Sequence, residues 1–145
     1  MEDSHEQLKI WQRVRGNAPT IDGLPGLAAR ALTQSALYEA LSRQTQGPGR
    51  NILLHLRDAQ LENARCIKGV YRMITGVAMK VVAVPPTVEN LEISLRKSYG
   101  QSLKTLNAYQ ARANDSEYGG VFQCLTAKEQ SLCCKLAELM GLIGG

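Results

Sequence analysis

The amino-acid sequence predicts an all-α protein: a four-helix bundle of two antiparallel helix hairpins joined by a long crossover, with a short helix ahead of it. Three observations predict this. Apolar residues fill 44% of 145 positions and charged residues 21%, enough for one core and a solvated surface. Aromatics are only 5%, with one Trp and one Phe, so Leu, Ile, Val, Ala and Met must fill the core, as in helical bundles. Apolar positions recur at alternating steps of three and four along four long stretches, separated by clusters of Gly, Pro, Asn and Asp. Five Pro and no low-complexity tract exclude wholesale disorder. The length suits one domain, divided as an N-terminal segment over 1–26 and a bundle over 27–145.

Residues 4–15 read as a short helix with Leu8, Trp11 and Val14 on one face, ended by Gly16-Asn17-Ala18-Pro19, with a second break at Gly23 to Gly26. The first long helix is expected over 27–46, closed by Gly47-Pro48-Gly49. The second runs over 50–75 and stops at Gly76, where a left-handed residue is wanted. Residues 77–86, ending in Pro85-Pro86, read as an extended connector. The third long helix is expected from an N-cap at Thr87, with Asn90 at N3, to Ala113; the fourth covers 118–143. Tight turns make the first and second long helices antiparallel neighbours, and likewise the third and fourth. The connector at about 3.3 Å per residue crosses much of a bundle.

The inward grid on the second long helix is Leu53, Leu56, Gln60, Asn63, Ile67, Val70, Ile74, and on the fourth Phe122, Leu125, Glu129, Leu132, Leu136, Leu139, Ile143. The third gives Leu95, Tyr99, Ser102, Leu106, Tyr109, Ala113, and the first Leu24, Leu27, Ala31, Gln34, Tyr38, Leu41. The polar interruptions all fall near mid-helix. They form a hydrogen-bonded network, or point to water from a rotated helix, or mark a site between the helices where bundles hold metals and cofactors.

The run Leu61-Glu62-Asn63-Ala64-Arg65-Cys66-Ile67-Lys68-Gly69-Val70-Tyr71-Arg72-Met73-Ile74-Thr75-Gly76 resembles the second helix of bacterial ferritin-like, rubrerythrin-related domains. Those carry Glu-x-x-His-Ala and then Lys-Gly-apolar-Tyr-x-x-apolar-Thr-Gly. Tyr38 to Arg43 resembles the end of that family's first helix, and Ile10-Trp11-Gln12-Arg13-Val14 the N-terminal segment of some members. Glu129-Gln130 sits where the last helix carries its second Glu-x-x-His. The resemblance implies six ligands to two iron or manganese ions, one Glu from each of two helices and a Glu-x-x-His from each of the others. Carried over by position, the first Glu falls on Ala31, the first Glu-x-x-His on Gln60 and Asn63, the next Glu on Ser102, and the last pair on Glu129 and Leu132. Only Glu129 keeps its ligand type. One carboxylate does not hold a di-metal centre, whereas Gln and Asn amides can donate to it. The resemblance therefore implies a ferritin-like bundle with a degenerate di-iron site, with no metal or other cofactor expected.

Cys66, Cys133 and Cys134 lie just off the inward grid near that layer. They read as small buried hydrophobes or as a thiol cluster for a soft metal or redox sensing. His55 falls on a flank and is not a ligand on this grid. Leu54 and Leu61, with Trp11 and Val14, make a second apolar stripe, suggesting burial against another chain or beneath the N-terminal segment; a homodimer is expected. The net charge of +4 is scattered singly, without an aromatic-lined basic stripe, which argues against nucleic acid. The most apolar stretch, Val77 to Val84, carries Lys80 and is too short to span a membrane. An acidic N-terminus unlike a signal peptide, and four Cys without C-x-x-C spacing, predict reduced thiols and a cytoplasmic location. The expected function is a non-catalytic scaffold, interaction or small-ligand-binding domain. The alternative is a divergent iron- or manganese-binding oxidoreductase of the same class.

Overall fold

Proline opens two of the helices. The computed structural model describes residues 23–143, where α1 (Leu24–Ser42), α2 (Gly47–Thr75), α3 (Leu91–Gln110) and α4 (Gly119–Ile143) are the only regular elements, with no strand among them. The expected short helix over 4–15, with Leu8, Trp11 and Val14, lies outside the described residues. Pro25 and Pro48 each occupy the first turn of their helix, where the missing N–H has no carbonyl to reach. The Gly-Pro-Gly and Leu-Pro-Gly sequences thus start helices where sequence reasoning saw breaks.

Thr75 ends α2 as expected, with Gly76 at φ 74 donating its N–H to the Arg72 carbonyl. α3 starts later than expected: the cap is Asn90, whose Oδ1 accepts from Ile93 N at 2.9 Å, and not Thr87. Gly119 opens α4 against the turn before it. A Cβ there would sit 2.5 Å from the Ala113 carbonyl oxygen, so only glycine permits this approach.

α1 packs on α2, α3 on α4 and α2 on α4, with a slighter contact between α1 and α3. The buried faces follow the heptad grid on three helices. On α3 Leu95, Ser102 and Tyr109 are buried as expected, but the positions between them are one residue off: Tyr99 is 42% exposed and Leu106 half-buried, while Ser98 and Thr105 are buried. The reason is polar. Ser98 Oγ donates to Gln34 Oε1 on α1 at 2.8 Å, and Thr105 Oγ1 accepts from Arg30 Nη1 at 3.3 Å. Small hydroxyls thus seat α3 against α1 where bulky residues would hold it away. Ile143, expected inward, is exposed at the end of α4.

The apolar core falls into two clusters. One holds Leu37, Tyr38, Leu41, Leu53, Leu56, Leu95, Leu132, Leu136 and Leu139; the other is built on Leu24, Leu27, Ile67, Val70, Tyr109, Phe122 and Leu125. Along α2 the two are separated by Gln60 and Asn63, along α4 by Glu129, and along α3 by Ser98 and Ser102. Leu54 and Leu61 are half-buried by the chain itself. The large apolar side chains left exposed are elsewhere, at Met73 near the end of α2, on the segment 76–90 (Val82, Val84) and on the outer faces of α3 and α4 (Tyr99, Leu103, Leu142). No helix among the described residues is long and apolar enough to cross a membrane.

Candidate functional site: a buried carboxylate between the helices

Glu129 is fully buried, at 0% exposure. Its position on the inward face of α4 is dictated by the leucines one and two turns away, which leave it no route to water. Ser102 Oγ from α3 donates to Oε2 at 2.8 Å. Gln60 Nε2 from α2 donates to Oε2 and Oε1 at 3.3 and 3.4 Å, and Asn63 Nδ2 to Oε1 at 3.5 Å. The hydroxyl bond is short; the amide bonds are stretched, so the carboxylate is held mainly from α3. All donors are neutral.

The six positions singled out in the sequence (Ala31, Gln60, Asn63, Ser102, Glu129 and Leu132) are all buried. Four of them meet in this one network. Ala31 and Leu132 contribute no donor or acceptor. One carboxylate, two amides and a hydroxyl do not match the several anionic ligands that two divalent cations require, so this residue set does not fit a di-metal centre. Among the described residues no group of three or more His, Cys, Asp or Glu side chains is placed to hold a metal ion.

The expected trio of thiols is arranged differently. Cys133 is buried and feels Glu129 and Ser102; Cys134 is exposed. Cys66 is half-buried on α2 with Cys124 and Lys128 of α4 as its electrostatic neighbours. Burial pushes both the Cys66 and Cys133 thiols up, which keeps them protonated and poor nucleophiles. Cys124 was missed by sequence reasoning, because the pairing of α2 with α4 had to be known to bring it beside Cys66. His55 is exposed on its flank, as the grid has it.

Two tyrosines were taken as simple core residues but frame the polar layer. Tyr38 and Tyr109 are fully buried, both feel the Glu129 charge, and burial raises the pKa of each phenol. Neither hydroxyl, nor Asn63 Oδ1, has a hydrogen-bond partner within the described residues. The signal that could have marked this layer is the hydroxyl spacing Ser94, Ser98, Ser102, Thr105, a helical face too polar for a packed core.

Burial also pushes the Glu129 carboxyl above the ordinary carboxylate range, against the opposing pull of the Ser102 and Gln60 bonds. With the folded pKa above the unfolded one, the native chain binds the extra proton between the two values. Its stabilising share is then fully present below the unfolded value and is lost as pH rises through the folded one. Urea-unfolding free energies are expected to decline over that window in the parent. In Glu129→Gln this share of the decline is expected to vanish, so the variant gains on the parent as pH rises. Parallel pH profiles would show that Glu129 titrates as if exposed.

No family model, curated protein or solved structure matches this chain.

Proposed function

We infer that the chain is a ferritin-like bundle with a degenerate di-iron site, serving as a non-catalytic scaffold or interaction domain. One observation carries this reading: the single carboxylate at the family's metal level is engaged by three neutral donors, from Ser102, Gln60 and Asn63. Such an arrangement stabilises one negative charge, or one proton, and offers no open coordination positions to oxygen or peroxide chemistry.

The ferritin-like topology is supported by the hydrogen bonds between helices. Gln34 with Ser98 and Arg30 with Thr105 pair a rising number on α1 with a falling one on α3, so these two run antiparallel. α1 and α2, joined by a turn over 43–46, are antiparallel as well. α2 and α3 then run in the same direction, which requires the segment 76–90 to return along the bundle. The Thr33 hydroxyl donates to the Val84 carbonyl at 2.8 Å, a contact that supports such a return past α1. An interaction role is supported by the exposed valines of that same segment, Val77, Val82, Val84 and Val88.

Purified protein is expected to contain no stoichiometric iron or manganese by elemental analysis and to show no ferroxidase activity after incubation with Fe(II). At tens of micromolar it is expected to sediment as a homodimer. About two irons per chain would overturn the reading of the site; a clean monomer would count against the dimer.

A further inference from the structure

α2 and α4 run antiparallel, and their alignment is fixed at two levels. Gly49 lies against the Leu139 side chain at one end, and Gln60 and Asn63 meet Glu129 at mid-bundle. Beyond that layer Cys66 lies about 7 Å along α2 from the midpoint of Gln60 and Asn63, and Cys124 about 7.5 Å along α4 from Glu129, in the same direction. The two cysteines are therefore level across the helix pair. Cys66 follows Asn63 by three residues, which keeps it on the side of α2 that addresses α4. Cys124 and, one turn on, Lys128 are the α4 groups whose charge it feels. The thiols differ in access: Cys124 is exposed and Cys66 half-buried. Lys128 is exposed and has no ion pair among the described residues.

We propose that Cys66 and Cys124 form a redox-modification site, oxidised by hydrogen peroxide to a disulfide that ties α2 to α4. The exposed Cys124 thiolate attacks one peroxide oxygen. The O–O bond breaks, hydroxide leaves and takes up a proton as water, and Cys124 becomes a sulfenic acid. The Cys66 sulfur then attacks the Cys124 sulfur. An S–S bond forms as the S–O bond breaks, and the Cys66 proton departs with the hydroxyl group as a second water. The two thiols together lose two electrons, which the peroxide gains.

The surroundings assign these roles. Only Cys124 of the pair stands open to a dissolved oxidant. The Lys128 ammonium favours the Cys66 thiolate that the second attack needs, against the burial that opposes it. That attack is intramolecular, which offsets the weak nucleophilicity of a half-buried thiol. The other two cysteines do not compete. Cys133 and Cys134 stand about 13 Å or more further along α4, toward the opposite end of the bundle. A disulfide takes Cα separations of about 4.4–6.8 Å. α2 and α4 pack with Cα pairs at 8 Å or less, so a bond formed in the folded chain reads that spacing directly.

The test treats the reduced, folded full-length chain with a slight excess of hydrogen peroxide and maps the products by mass spectrometry without reduction. The chain is expected to lose two hydrogens, and the peptides carrying Cys66 and Cys124 to appear joined. Tm is expected to rise by about 10 °C on oxidation and to return with dithiothreitol. Cys66→Ser is expected to stop at the sulfenic acid, trapped by dimedone on Cys124. Cys124→Ser should abolish both the bond and the Tm rise, whereas Cys133→Ser with Cys134→Ser should leave both intact. The mapping of the unaltered chain stands even where a variant folds poorly. Four outcomes would overturn the proposal: a bond that forms only after unfolding in urea, a native bond that joins another pair or two chains, Cys124 oxidised to a sulfinic acid while Cys66 stays a thiol, or all four thiols surviving the peroxide.

Discussion

Five substitutions made together, Ala31→Glu, Gln60→Glu, Asn63→His, Ser102→Glu and Leu132→His, are expected to convert the bundle into one that needs metal to stay folded. All five positions are buried, and they surround a carboxylate that is already there. Without metal the variant crowds four carboxyl groups and two imidazoles into one layer. Breaking the compensation of a buried charge costs about 3–5 kcal/mol, and a domain's whole stability is only about 5–15 kcal/mol. The apo variant is therefore expected to lose its cooperative thermal transition. Two divalent cations supply the missing positive charge, and because they bind only the folded form, Mn(II) or Co(II) should restore helicity and raise Tm with metal concentration. Melts followed by circular dichroism, with Co(II) absorbance as the reporter of coordination, measure both halves. A variant as stable as its parent without metal, or blind to metal, would mean that these positions do not converge on one site.

Removing the acceptor is expected to be nearly as damaging. Glu129→Leu leaves the Ser102 hydroxyl and the Gln60 and Asn63 amides facing a methyl group, each buried. An orphaned buried donor costs about 1–3 kcal/mol, so a loss of several kcal/mol is expected in urea unfolding. Replacing the donors as well, with Gln60→Leu, Asn63→Leu and Ser102→Ala added, should recover much of it, because deleting both partners of a buried bond is close to neutral. A Glu129→Leu protein of unchanged stability would show that the network contributes nothing to holding the fold.

The core was legible wherever side-chain size follows helical period. On α2 and α4 the expected inward positions from Leu53 to Val70 and from Phe122 to Leu139 are the buried ones. This extends to the polar members, because Gln60, Asn63 and Glu129 keep the heptad phase of their leucines. α3 was misread by one residue at two places, Tyr99 for Ser98 and Leu106 for Thr105, while Leu95, Ser102 and Tyr109 are inward as expected. Its buried face is built from serine and threonine, which hydropathy scores as surface, and only the partner atoms on α1 make Ser98 an inward residue. Helix starts were misread for a related reason. Pro25 and Pro48 look like breaks by composition and act as first-turn residues by geometry. The Cys66–Cys124 neighbourhood lay outside local pattern altogether, since it depends on which helices are adjacent.

The division of the core into two apolar clusters with a carboxylate between them bears on how the two helix pairs find each other. The bond from Ser102 to Glu129 closes within the α3–α4 pair, whereas those from Gln60 and Asn63 form only when α2 arrives. Leucine faces alone slide: displacing α4 along α2 by one turn, about 5.4 Å, exchanges one leucine for another at little loss. Such a shift would set the Glu129 carboxylate beside Leu56 on one side or Ile67 on the other, keeping the Ser102 bond but giving up at least one of the two amide donors of α2. Every wrong alignment leaves the buried acid with fewer donors than the native one provides. The mid-bundle acid thus acts as an alignment pin, selecting one docking position from several that its apolar neighbours would accept.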